Sequence, residues 1–140
     1  VPYLVQNGGN DWGTTFTLDK SGIVIHFDQL RSVDFSSDRT QMTVGGGALI
    51  CDVVPAAAAR NDLVLTRTCN CVGALGAILG GGPNRMDQYG LAVDDFPSIN
   101  LVKADGQAAT VTALSGLELW WALRGAEPSF GVVTSAVPKA

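Results

Sequence analysis

Histidine, cysteine, tyrosine and charge are all scarce in this chain, and each scarcity removes a class of function. The one histidine, His26, lies within Ile23-Val24-Ile25-His26-Phe27. Alternation sets it on the strand face opposite Ile25 and Phe27, an ordinary strand position rather than a ligand. The three cysteines, Cys51, Cys69 and Cys71, are too few for a disulfide framework, and one must stay unpaired within the chain. Cys69 and Cys71 stand two residues apart without a second Cys/His pair to complete a zinc site, so no metal site is assigned. Acids outnumber bases 13 to 9, and no basic patch with interleaved aromatics occurs, which argues against a nucleic-acid partner. No apolar run reaches the roughly 18 residues of a membrane-spanning helix, so no membrane partner is expected. The chain opens at Val1 on strand-like residues, as a cut or processed polypeptide would. Two nucleotide signatures are also missing. No window fits Gly-x-Gly-x-x-Gly between a strand and a helix, and no glycine run ends in Gly-Lys-Ser/Thr.

Glycine, in contrast, is plentiful: 17 of 140 residues. The glycines cluster rather than repeat, which excludes a collagen-like or low-complexity linker. The densest cluster runs Cys69-Asn70-Cys71-Val72-Gly73-Ala74-Leu75-Gly76-Ala77-Ile78-Leu79-Gly80-Gly81-Gly82. A segment with so few bulky side chains lets backbone approach something closely. Its exposed amides suit a pyrophosphate or a flat cofactor ring. A second glycine loop, Gly8-Gly9, follows a strand. Two such loops suit a long ligand such as a dinucleotide lying across a sheet. Clustered glycines also serve bulges, tight turns and close helix packing, and composition alone leaves both readings open.

The pattern predicts strands at Tyr3–Gln6 and Gly22–Phe27. Ser32–Phe35 and Gln41–Val44 read as a hairpin across Ser36-Ser37-Asp38, ended by Gly45-Gly46-Gly47. Asp52 reads as the N-cap of a helix running through Ala56–Ala59 to Arg60, with Pro55 in its first turn. Leu63-Val64-Leu65 reads as a short strand. Ile99–Lys103 and Ala109–Thr112 form a second hairpin across Ala104-Asp105-Gly106. Ser115-Gly116-Leu117-Glu118 has the form of a capping box opening a helix from Leu117 to Arg124, closed by Gly125. The final strand is Phe130–Ala136. Strand runs and hairpins outnumber strand–helix alternation, so the expected class is α+β in one domain.

Six motifs in order resemble the flavin domain of the FAD-linked oxidases with the vanillyl-alcohol oxidase and p-cresol methylhydroxylase (PCMH) fold, in the berberine-bridge-like and oligosaccharide-oxidase branch. They are Val5-Gln6-Asn7-Gly8-Gly9-Asn10-Asp11-Trp12, Gly22–Leu30, Val44–Ala48 with Asp52-Val53, Cys69–Gly82, Tyr89–Asp94 with Val102–Gly106, and Leu119–Gly125 with Ser129–Thr134. The resemblance implies that residues 1–140 are an FAD-binding PCMH-type domain, largely the second α+β subdomain with part of the first. It implies a chain truncated at its N-terminus and lacking the C-terminal substrate domain. Cofactor contacts are then expected from Asn7, Gly8, Gly9, Asn10 and Asp11 in the first loop, whose amides would hold the pyrophosphate. Cys69, Val72, Gly73, Gly76, Ala77, Leu79 and Gly80 would follow along the flavin ring and ribityl chain, and Gly131 and Val133 would lie near the adenine or ribityl side.

The implied activity of the complete protein is oxidation of an alcohol, sugar or secondary metabolite. Hydride would pass to flavin N5, with dioxygen as acceptor. The alternative is a non-redox or cofactor-free member of the fold, cyclase-like or structural. The departures from the family are specific. Asn10 stands where the family has the histidine that bonds the flavin 8α-methyl, and an amide has no such nucleophile, which excludes covalent attachment there. Cys69 matches the cysteine that bonds flavin C6 in doubly linked members. The expectation is noncovalent FAD, with a Cys69 bond as the alternative. Pro83-Asn84 replaces the family's aromatic and glycine. Neither Tyr3 nor Tyr89 matches the family's base, so no catalytic residue is assigned, and Asp94 and Asp95 are read as structural. An extracellular location is favoured by resemblance only.

Overall fold

The computed structural model describes residues 1–10, 18–82, 87–126 and 129–140. The sequence expectations at Asp11, Trp12, Pro83 and Asn84 lie outside them. Among these residues, seven strands and three α-helices form in the order β1 (Tyr3–Gln6), β2 (Ile23–His26), β3 (Val33–Phe35), β4 (Met42–Gly45), α1 (Ile50–Ala58), α2 (Ala74–Leu79), β5 (Ser98–Val102), β6 (Ala108–Val111), α3 (Leu117–Leu123) and β7 (Val132–Val137). The class is α+β. β1 and β2 make a parallel two-stranded sheet, Tyr3 opposite Ile23 and Gln6 opposite His26. The remaining strands form an antiparallel sheet of order β3-β4-β7-β5-β6.

Both expected hairpins form, Val33 pairing with Val44 and Ile99 with Val111. The last strand closes the sheet by running between them, pairing with β4 and β5. Alternation in β5 buries Ile99 and Leu101, and Met42 and Val44 do the same in β4. They pack with Ile50, Val53, Leu75, Leu79, Phe96 and Leu123 in one core. In β5, Asn100 donates to Ser135 Oγ of β7 at 2.9 Å and accepts from Thr110 Oγ1 of β6 at 2.7 Å, tying three neighbouring strands together.

Four local expectations need correction. Asp52 is not an N-cap: α1 starts earlier, with Leu49 as N-cap, and the Asp52 carboxylate reaches back to accept the Leu49 N–H at 2.8 Å. Pro55 therefore lies inside the helix rather than in its first turn. Leu63–Leu65 forms no strand; Val64 and Leu65 instead lean on the core as irregular chain. Ser115 is not the cap of α3. Its hydroxyl accepts the Thr112 N–H at 3.0 Å, Thr112 Oγ1 accepts the Ser115 N–H at 3.1 Å, and Gly116 is the N-cap.

The triple glycine at 45–47 does more than end a hairpin. Gly45 N–H donates to Ser32 O, Gly46 N–H to Thr134 O and Gly47 N–H to Leu30 O. A Cβ on Gly45 would strike the Leu30 carbonyl, one on Gly46 the Phe27 ring, and one on Gly47 the Phe27 carbonyl. The turn leaving the small sheet thus lies directly on β4, and only a strip without side chains accommodates it.

Candidate functional site

β1 ends where Phe27 N–H bonds the Gln6 carbonyl at 2.9 Å, and the first glycine loop begins there. The Asn7 amide donates to Gly46 O and Ala48 O, both at 3.0 Å, fastening the loop's start to the large sheet. Gly9 turns at φ +65°, a conformation glycine adopts without strain. The opposite wall is the segment from Arg67 to Gly73. It is held to the start of α1 by Cys51 N–H to Asn70 O at 3.0 Å and Ile50 N–H to Val72 O at 3.1 Å. Ala74 N–H to Ala48 O at 2.9 Å continues the seam into α2.

The two walls meet closely. A Cβ on Gly8 would sit 2.8 Å from Gly73 N, and one on Gly73 would sit 2.8 Å from Asn7 Nδ2. The Asn10 amide donates to Gly8 O at 3.0 Å and to Cys71 O at 3.1 Å, so it touches both walls.

Between them lies a cleft of about 1030 Å³, at the upper end of the range for small-molecule sites. It is lined by Asn7, Gly8, Gly9, Asn10, Cys69, Val72, Gly73, Gly76 and Ala77, all named from the sequence. A second cleft of about 330 Å³ is lined by Gly131 and Val133, and by Leu4, Val5, Asn7 and Gly76, which line the first as well. The two clefts share this stretch of wall and together are termed the trough. Two expected residues are not there. Leu79 points into the core, and Gly80 caps the end of α2. Gly81 and Gly82 take positive φ, and Gly82 packs on Ala92 and Ile78. The second triple glycine therefore stops a helix and turns the chain rather than lining the trough.

Leu4, Val5, Gln6, Arg67 and Thr68, not among the contacts expected from the sequence, also line the cleft. Their signal was adjacency: the strand directly before the first glycine loop and the two residues directly before Cys69. Arg67 is the one charged side chain among the described residues lining the first cleft. All three cysteines are free and exposed, and Cys69 and Cys71 line the cleft while Cys51 does not.

Outside the trough several charges are paired. Arg31 makes a two-point contact with Asp52, Nε to Oδ2 at 3.0 Å and Nη2 to Oδ1 at 2.7 Å. This contact, with the Leu49 N–H, holds the Asp52 carboxyl below the usual carboxylate range. Asp94 pairs with Arg124, whose guanidinium also lies over the Trp120 ring, and Asp95 faces Lys139 at 4.0 Å.

The trough fits a flavin dinucleotide on its own chemistry. Its walls combine backbone amides, a carboxamide at each end of the glycine loop, and apolar side chains. The N–H groups of Gly8 and Gly9 bond no other described residue. Missing side chains at Gly8, Gly73 and Gly76 leave room for ligand atoms against the backbone.

A family model described as "FAD binding domain" matches residues 1–112. The FAD-linked oxidoreductase chry5 of Gibberella zeae is 39% identical, over 99% of this chain and 27% of its own length. The FAD-linked oxidoreductase srdI of Neurospora crassa is 32% identical, over 99% of this chain and 28% of its own. Among solved structures, 6-hydroxy-D-nicotine oxidase from Arthrobacter nicotinovorans superposes with TM-score 0.89 and 31% identity, covering 98% of this chain and 30% of that one. Glucooligosaccharide oxidase from Acremonium strictum, described with a 6-S-cysteinyl, 8α-N1-histidyl FAD, superposes with TM-score 0.84 and 25% identity, covering 99% of this chain and 30% of that one. The chain spans less than a third of the length of these relatives.

Proposed function

The chain belongs to the FAD binding domain family, with the fold of the PCMH-type oxidases, and from that premise we propose that its trough holds FAD without a covalent bond. The observation that carries this is the convergence of both glycine walls on one cleft. Gly8, Gly9 and Asn10 offer amides to the pyrophosphate, while Cys69, Val72, Gly73, Gly76 and Ala77 form the small-residue wall for the flavin ring and ribityl chain. Gly131 and Val133 bound the second cleft, for the adenine or ribityl side.

We propose that the complete protein is a flavin-dependent oxidoreductase acting on an alcohol, sugar or secondary metabolite. Bound FAD would supply a hydride acceptor at N5, with dioxygen as the final acceptor. The chain's own contribution is to bind and orient. Asn10 carries no nucleophile, whereas the Cys69 thiol is exposed in the cleft and is the one anchor the family pattern offers. No lining residue is assigned as a base, so the 140-residue chain binds cofactor without oxidising substrate.

The test is reconstitution followed by mass measurement. The purified chain mixed with FAD and then freed of unbound flavin by gel filtration should remain yellow and release its flavin on acid denaturation, with no added mass on the polypeptide. A flavin mass that disappears in Cys69→Ala would replace the noncovalent reading with a cysteinyl link. A chain that is colourless after the filtration would favour the cofactor-free alternative.

A further inference from the structure

We propose that the Asn10 side chain is a positioning residue, a clamp that sets the spacing of the two glycine walls and is strengthened when the trough is filled; this rests on the FAD reading of the trough. A primary amide has two N–H donors on one nitrogen. Both are used here, one on the loop's own Gly8 carbonyl and one on the Cys71 carbonyl 61 residues away. Cys71 is in turn bracketed by Asn70 and Val72, whose carbonyls accept from the start of α1. The first loop is thereby tied to the rest of the fold at two separated points. Asn7 anchors its start to Gly46 and Ala48, and Asn10 fixes its far end to Cys71.

The two anchors differ in burial. The Asn7 bonds are partly buried, while the Asn10 bonds are exposed. Exposed hydrogen bonds compete with water and contribute little. A ligand laid in the trough would cover Asn10, exclude that water and lower the local dielectric, which strengthens both bonds. The clamp therefore contributes more to the liganded state than to the empty one. Its loss should appear in affinity and hardly at all in the stability of the empty chain.

Position 10 also distinguishes donation from bulk. Asparagine and aspartate have the same shape, but a carboxylate would face two carbonyl oxygens with no proton between them. Asn10→Asp should therefore be worse than Asn10→Ala, which removes the amide without adding repulsion.

The experiment measures FAD affinity for the chain and for Asn10→Ala and Asn10→Asp by fluorescence titration at pH 8 and pH 5. Alkylation of Cys71 relative to Cys51 in the FAD-free chain is measured by peptide mapping. Asn10→Ala should weaken FAD about tenfold, with the melting temperature of the empty chain little changed and Cys71 alkylated faster. Asn10→Asp should be weaker still at pH 8 and recover in part at pH 5, where a protonated carboxyl can donate to one carbonyl. Asn10→Asp equal to the parent at both pH values, with an unchanged alkylation ratio, would overturn the clamp. If the parent chain takes up no FAD, the functional reading falls instead, and the alkylation ratio alone decides the clamp.

Discussion

The two sheets differ in what holds them together. The five-stranded sheet is built around a core in which Ile99, Leu123 and Ala136 are fully enclosed. Among the described residues the two-stranded sheet has no core of its own. Every residue of β2 is exposed, with Val24 at 52%. An isolated pair of strands is marginal in water. This one is carried by the larger sheet through a seam: Phe27 buried against Gly46, the Leu30 turn seated on Gly47, and Asn7 bonded to Gly46 and Ala48. The trough lies along that seam, so one wall rests on a rigid body and the other on an attachment. Ligand affinity should therefore respond to the seam as strongly as to the residues that would touch the ligand.

Breaking the seam should have the largest effect. Gly47→Ala places a methyl group on the Phe27 carbonyl, and backbone on both sides must move. A loss on the order of 4 kcal/mol is expected, read by urea unfolding, together with loss of FAD uptake. A variant as stable as the parent would show that the two sheets can separate without cost.

The contrast between the sheets is measured by a matched pair of truncations. Ile99→Ala removes a fully buried side chain and should cost about 2–5 kcal/mol. Val24→Ala trims a half-exposed one and should stay within about 0.5 kcal/mol. Similar losses from both would mean that β2 packs as tightly as the main sheet.

A further effect, below that of Ile99→Ala, concerns Asp52, which joins α1 to Arg31 on the chain leaving the small sheet. Its carboxyl is held low first by Arg31 and then by the Leu49 N–H. A depressed folded-state value stabilises above the unfolded value of about 3.9, and the contribution disappears as pH falls through the folded value. Asp52→Asn should lower stability at pH 7 by under about 1 kcal/mol. The gap between the two stability curves should close as the medium is acidified below pH 4. A gap that stays constant to low pH would remove the ion pair from the account.

Most strands were legible because period-two alternation and turn residues speak locally. Met42 and Val44, or Ile99 and Leu101, announce a buried face without knowledge of their neighbours. The helix α2 was not legible. Ala74–Leu79 sits among five glycines and is too short to form on its own. It exists because Ala74, Leu75, Ile78 and Leu79 are buried against the sheet, which is tertiary information. Asp52 was misplaced for a related reason: a carboxylate three residues into a helix and one at its cap both stand near a first turn in sequence, and only the backbone tells them apart. In the site, Gly8 and Gly73 were found because glycine marks close approach. Leu79 and Gly80 were grouped with them by adjacency, but one faces the core and the other ends a helix. Leu4 and Val5 were marked only by standing directly before the first glycine loop, since a strand residue that lines a cleft looks like one that lines a core.

The parallel pairing of β1 with β2 carries a consequence for how this loop can vary in length. Parallel neighbours cannot be joined by a tight turn, so the chain leaving Gln6 must make a return journey before it re-enters at Ile23. Asn7 to Asn10 are the opening steps of that journey, pinned at both ends of the step by side-chain amides. The span from Gln6 to Asn10 should therefore tolerate neither insertion nor deletion without moving one anchor off its carbonyl.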